Sequence, residues 1–158
     1  MASRTWNPNV TVAAVIARAG RFLLVEEMAD SGLVLNQPAG HLEAGESLPD
    51  ACAREVLEET SHVFTPTHLI GVYLWRSNAR DSNEPVTYLR FAFTGEIGPQ
   101  KPGRALDHGI VRTLWLAADE IRAREAVHRS PLVLRCVEDY LLGRRYPLDL
   151  LRAAVPVH

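Results

Sequence analysis

The runs Val10 to Ala17 and Phe22 to Val25 are dense in β-branched and large apolar side chains, and Ala19-Gly20 carries turn chemistry between them, so the spacing predicts a hairpin. Leu33 to Leu35 predicts a further short strand, whereas Gln37-Pro38-Ala39-Gly40 reads as an irregular loop, because Pro and Gly both interrupt regular backbone. From Leu48 the period changes. Leu48, Cys52 and Val56 recur every four residues with Ala53 and Leu57 beside them, and Pro49 suits a first helical turn, which predicts a helix with one apolar face. Strand-like runs return at Leu69 to Trp75, Val86 to Phe93 and Ile110 to Leu116, each bounded by Gly, Pro, Asn or Asp. Ala117 to Arg124 has helical composition. Ser130-Pro131 supplies an N-cap and a proline at N1 for an amphipathic helix running through Leu142 and stopping at Gly143. Arg76 to Pro85 is polar enough to be a mobile loop. Strands, helix, strands, helices in that order predict an α+β fold, an α/β/α sandwich with a mixed sheet between helices, rather than a regularly alternating doubly wound sheet.

At 158 residues, 47% hydrophobic and 23% charged, the chain suits one compact domain with a core over about residues 7–151. A formal net charge of −2 gives no broad attraction to a nucleic-acid polymer or an acidic membrane. The opening residues lack the apolar core of a signal peptide, and Val10 to Ala17 is too short to span a bilayer. Cys52 and Cys136 stand too far apart to form a paired metal motif or a disulfide framework. The expectation is a cytoplasmic protein with reduced thiols, a monomer or homodimer. Sixteen of the 17 basic residues are arginine, with Lys101 the exception; the guanidinium suits phosphate oxygens, but genome base composition accounts for the bias as well.

The chemistry concentrates between Gly40 and His62. Glu55, Glu58 and Glu59 are related by i, i+3 and i+4, so a helix crowds three carboxylates onto one patch. Alone, such a triplet is most often a solvated acidic face. Each like-charge neighbour costs a few tenths of a kcal/mol, a penalty reversed by a hard divalent cation bound through carboxylate oxygens, for which Mg²⁺ is suited and Mn²⁺ possible. Arg54 lies beside the patch, where it can clamp Glu46 or Glu58 in a bidentate contact or serve as an ordinary surface pair.

Gly40, Glu46, Arg54, Glu55, the apolar Val56, Glu58 and Glu59 stand in a spacing that resembles the Nudix box, G-x5-E-x7-R-E-U-x-E-E-x-G-U with U apolar. Two positions depart from it. Ser61 replaces a glycine, which puts a side chain where left-handed backbone is common, and His62 replaces an aliphatic residue. His62 would share the acidic face if the helix ran on, as a ligand or proton carrier; the competing reading is a packed side chain beyond the helix end.

The resemblance implies a Nudix fold and a metal-dependent hydrolase that opens a phosphoanhydride bond with metal-activated water. It implies metal ligation by Glu55, Glu58 and Glu59 with the Gly40 carbonyl, and supporting roles for Arg54 and Glu46. A further acid from outside the box is expected, with Asp107 first and Glu96 and Glu120 as alternatives. The segment Asn36 to Glu43, with Arg129-Ser130-Pro131-Leu132 and Arg145-Tyr146-Pro147-Leu148, is similar to a narrower bacterial group: Nudix phosphatases acting on nucleoside di- and triphosphates and on hydroxymethylpyrimidine or thiamine pyrophosphates. His41 and Glu43 either touch phosphate or order their loop. Trp6, Trp75, Tyr88 and Phe91 either stack on a base or belong to the core. A non-catalytic module binding ADP-ribose or another nucleotide is the alternative function. An isomerase of prenyl diphosphates shares the fold but calls for a cysteine and histidine arrangement that the chain does not place around the box.

Overall fold

The computed structural model describes residues 5–78 and 84–154. The run read as the first strand of a hairpin divides. Strand β1 (Asn9–Ala14) joins a five-stranded sheet, while β2 (Ala17–Arg18) turns back on β3 (Arg21–Ala29) through Ala19 and Gly20, both at positive φ. The expected turn is therefore there, but strand pairing across it is short: Ala17 and Arg18 pair with Phe22 and Arg21, and the Ile16 carbonyl accepts the Leu23 N–H at 2.9 Å. Val15 and Ile16 carry the chain between the two sheets, because their side chains are claimed by opposite cores.

Strand β4 (Gly32–Asn36) pairs antiparallel with β3. Ala39 and Gly40, expected in an irregular loop, instead open a short strand β5 (Ala39–His41) antiparallel to β1, with Thr11 opposite His41 and Val12 opposite Gly40. Pro38 donates no hydrogen bond to the ladder, but its carbonyl accepts the Ala14 N–H at 2.9 Å, so proline and glycine at this edge interrupt nothing.

Helix α1 (Leu48–Thr60) follows, with the Ser47 hydroxyl accepting the Asp50 N–H at 3.2 Å and Pro49 in the first turn. Strands β6 (His62–Arg76) and β7 (Thr87–Gln100) are longer than the apolar runs within them and form a bulged antiparallel ribbon. Parallel pairing of β1 with β7 makes the sheet mixed, in the order β5-β1-β7-β6-β9, where β9 (Tyr146–Pro147) is a short edge. Strand β8 (Ile110–Ala117) adds to β3 in the second sheet. Helix α2 is Ala118–Ala123 and α3 is Leu132–Leu141. The Ser130 hydroxyl accepts the Leu132 N–H at 3.2 Å, which starts α3 one residue later than the spacing predicts; Gly143 ends it at φ 79°. The loop expected at Arg76 to Pro85 lies in part, at 79–83, outside the described residues.

Alternation along the strands sets the layers. Leu69 and Phe93 point into one core with Ala51, Cys52 and Val56 of α1; their neighbours Ile70 and Ala92 point into the other, with Cys136 and Val137 of α3. The mixed sheet between helices is thus the α+β arrangement the pattern predicts, extended by a second sheet that the pattern alone did not separate. Among the described residues no helix is long and apolar enough to cross a membrane.

Candidate active site

One face of α1 packs on the sheet, and its register turns Glu55 and Glu59 inward with Cys52 and Val56 rather than out to solvent. Both carboxylates are buried, at 8% and 5% exposure, which separates this helix from an ordinary solvated acidic face. Burial pushes the Glu55 carboxyl upward against the opposing effect of Arg54. Glu59 is pushed up to about 9, mainly by burial, with Glu27, Glu55 and Asp107 adding repulsion and a hydrogen bond from the Ala39 N–H at 3.1 Å working against it.

Gly40 is where helix and strand meet. A Cβ built on it would fall onto the carboxyl group of Glu55, so that carboxyl can rest against the strand only because position 40 carries no side chain. Its φ is not positive, and its requirement is one of space.

Arg54 organises the outer acids. Its Nε and Nη2 form a fork on Glu46 at 3.0 and 2.8 Å, Nη2 also donates to the His41 carbonyl at 2.9 Å, and Nη1 reaches Glu55 at 2.9 Å and Glu58 at 3.2 Å. The hydrogen bond from Arg54 holds the Glu46 carboxyl below the usual range. Glu46 in turn accepts the Glu43 N–H at 2.8 Å. The Glu43 backbone thus helps order the loop, its exposed carboxylate lies 3.7 Å from Arg54, and His41 contributes its carbonyl to the same frame while bordering the cleft. Among the described residues no three Asp, Glu, His or Cys side chains stand close enough together to grip an ion as placed; the charge facing Glu55 and Glu58 is the guanidinium of Arg54.

Asp107 is drawn to this corner. Its N–H donates to the Glu58 carbonyl at 2.9 Å, and its charge acts on both Glu55 and Glu59. The two alternatives stand elsewhere: Glu96 lies on β7 opposite Thr65, and Glu120 caps α2 through the Ala117 N–H and pairs with Arg21 at 2.9 Å.

Ser61 takes the left-handed conformation that glycine favours, φ 60°, and closes α1 through its N–H to Leu57 O; its hydroxyl donates to the Arg104 carbonyl at 3.1 Å. His62 has left the acidic face. The chain turns at Ser61, and the His62 ring lies 3.1 Å from the Gly98 carbonyl across the β6–β7 ribbon. Cys52 faces the core, where burial pushes its thiol strongly upward.

A cleft of about 630 Å³ opens from Gly40 and Ala39 across the sheet face, past Thr11 and Arg90 to Trp75 and Tyr88, with Glu27 and Asn36 on one wall and Arg129 and Ser130 on another. Trp75 and Tyr88, paired across β6 and β7, stack with centroids 5.7 Å apart. Phe91 packs against the α1 core, and Trp6 is largely exposed away from the cleft.

Glu27 is a residue the sequence reading missed. It lines the cleft, takes a hydrogen bond from Asn36 at 3.2 Å and acts electrostatically on Glu59. A signal for it existed in the abrupt Glu26-Glu27 after four apolar residues: a bulge between them lets Glu26 pair with Arg112 while Glu27 turns to the cleft. Arg90 was missed as well, although it is the lone charge in the apolar run Val86 to Phe93.

The box spacing implied the carboxylate patch and the arginine beside it; the structure adds that the patch is buried against a glycine strand that lines the cleft. A NUDIX domain profile matches residues 6–136, and the chain belongs to the Nudix hydrolase family, as an enzyme of it. Over 146 residues it is 39% identical to the phosphatase NudJ of Escherichia coli strain K12, covering 92% of each chain. A solved Nudix hydrolase from Nitrosomonas europaea is 54% identical, with a TM-score of 0.87 over 93% of this chain and 97% of that one. A MutT Nudix hydrolase from Burkholderia pseudomallei, 19% identical with a TM-score of 0.68 over 85% of this chain and 98% of that one, shares the fold.

Proposed function

We propose that the chain hydrolyses a phosphoanhydride bond of a small nucleotide-like substrate, a nucleoside di- or triphosphate or a pyrimidine or thiamine pyrophosphate. We assign a Mg²⁺ site, which Mn²⁺ can share, to Glu55, Glu58 and Glu59 with the Gly40 carbonyl and Asp107. The single observation that carries this reading is the burial of Glu55 and Glu59 one turn apart against Gly40 and Ala39, two residues that line the cleft. Burial pushes both Glu55 and Glu59 upward, and an all-oxygen donor set suits a hard divalent cation. The donor chemistry fits the group once the carboxylates that Arg54 holds turn towards it, and Nudix hydrolases use divalent ions. Similarity to a protein named a phosphatase, over nearly the whole of both chains, favours release of phosphate.

When bound, the cation supplies neutralisation of phosphate oxygens and acidification of water. The chain's own residues do the rest. Arg54 holds Glu46, Glu55 and Glu58 in one frame, so the ligands do not have to be ordered as substrate arrives. Gly40 lets the Glu55 carboxyl rest against the strand. Glu59 keeps its proton on the carboxyl at neutral pH until positive charge is brought against it, and we assign Glu27, which lines the cleft, and Asp107, beside Glu58, as the candidates to take a proton from attacking water. Water adds its oxygen to phosphorus, the bridging P–O bond breaks, and the bridging oxygen leaves with the shortened substrate, phosphate being the other product.

The test is phosphate and pyrophosphate release from a panel of nucleoside di- and triphosphates and pyrimidine pyrophosphates, with Mg²⁺ and with a chelator. Chelator-sensitive phosphate release is expected. No turnover alongside tight binding of ADP-ribose would instead establish a nucleotide-binding module.

A further inference from the structure

Arg90 is 7% exposed on the floor of the cleft and forms no ion pair among the described residues. Its Nη1 donates to Gln37 Oε1 at 3.3 Å and its Nη2 to Asn36 Oδ1 at 3.4 Å, both long contacts to neutral amides, and its Nε has no partner. Nearby acids do not serve it: Asp139 is engaged by Arg135 and Arg144, and Cys136, which lies against the guanidinium, is kept neutral by burial. A buried cation left with weak acceptors is costly, and the cost is relieved when a ligand brings better ones.

The neighbours of Arg90 define what that ligand is. Asn36 spends its amide N–H on Glu27 and Gln37 spends its own on Val133 O at 2.7 Å, so both amides are locked and offer Arg90 their oxygens. On the same sheet face, two residues before Arg90 on β7, stands Tyr88, stacked on Trp75 of β6. The catalytic end is distant. Gly40 is on β5 and Arg90 on β7, two strand spacings or about 10 Å apart, and Trp75 is one strand further. That separation places phosphates at Gly40 and a ring at Arg90 and Trp75, with Arg129, 4.0 Å from Glu27, as an exposed cation on the cleft wall.

We propose that Arg90 with the Trp75–Tyr88 pair forms a specificity subsite for the organic part of the substrate, selecting, within the class proposed above, a planar ring that presents carbonyl oxygens, as uracil and guanine do, over the aminopyrimidine ring of a thiamine-type pyrophosphate. Adenine presents an amino donor where those bases carry a carbonyl oxygen, so a guanidinium, which has no acceptor, loses that contact and keeps only the ring nitrogens as partners. The proposal names the substrate class of the hydrolase site and rests on that reading for its kinetic arm alone.

The experiment uses calorimetry with UMP, GMP, AMP and ribose 5-phosphate as probes, so that binding is read without hydrolysis. Wild type is expected to bind UMP and GMP more tightly than AMP. Arg90→Met should weaken UMP and GMP about 10- to 100-fold, the range of a hydrogen bond to a charged group, and leave AMP and ribose 5-phosphate within about threefold. Equal loss for ribose 5-phosphate would make Arg90 a phosphate contact, and unchanged UMP affinity would leave it a structural side chain; either overturns the proposal. If Arg90→Met does not fold, as judged by thermal melting, Trp75→Leu provides the second arm: all three nucleotides should weaken together about tenfold, with ribose 5-phosphate unaffected. Base-selective binding without turnover of any diphosphate would overturn the hydrolase reading and keep the subsite, whereas turnover indifferent to the base would do the reverse.

Discussion

Gly40 and Glu55 are matched by contact: the Glu55 carboxyl occupies the space that any side chain at position 40 would need. Gly40→Ala should lower stability by only about 1 kcal/mol, because the group that must give way is the mobile end of one side chain, and should reduce kcat by far more than that loss of folded protein explains, because the carboxyl displaced is Glu55. Because the clash is with one side chain, Glu55→Ala in the same chain should recover stability without recovering activity. A melting and kinetic double-mutant cycle checks both; additive stability effects would separate the two residues.

Arg54 holds Glu46 by two hydrogen bonds and also touches Glu55 and Glu58, so lysine cannot replace it. Arg54→Lys should weaken Mn²⁺ binding and kcat about 10- to 100-fold with little change in melting temperature. Glu58→Gln should remove most activity and leave the fold intact, since Glu58 is the least buried of the three box carboxylates on α1. Near-normal turnover of Glu58→Gln would end its assignment as a ligand.

Glu59 sets a pH dependence for the metal-free protein. Its folded carboxyl titrates at about 9 against 4.5 when unfolded, so between those values the folded state holds a proton that the unfolded state has lost. The contribution is complete below about pH 4.5, declines through the window and is gone once pH passes about 9. In a chelator, stability should therefore fall from neutral pH towards pH 9, by an amount that Glu59→Gln abolishes. Urea melts across that range measure it, and a flat wild-type profile would contradict the burial.

Ser61 shows how a departure from the box is tolerated. Ser61→Ala keeps the left-handed backbone and loses the hydroxyl bond to Arg104, so it should cost about 1 kcal/mol. Ser61→Gly loses the same bond but relaxes the backbone, and should lie within about 0.5 kcal/mol of wild type. Activity of both should be unchanged, because neither touches the carboxylates.

The sequence by itself determined what is local. Periods of four and two located α1 and the apolar parts of the strands, and the i, i+3, i+4 spacing put three glutamates on one patch, because a helix fixes those neighbours whatever surrounds it. Tertiary structure decided which way the patch faces and what completes it. Glu55 and Glu59 are buried only because β5 pairs with β1, and that strand was illegible in Gln37-Pro38-Ala39-Gly40, whose partner lies nearly thirty residues earlier. The division of Val10 to Ala17 between two sheets followed from the same competition of distant partners. Glu27, Asp107 and Arg90 come from separate strands and a loop, brought beside the helix and cleft by pairings that no local period encodes. Local geometry repeats along the chain and can be read from it; strand register joins distant residues, and only the folded sheet specifies it.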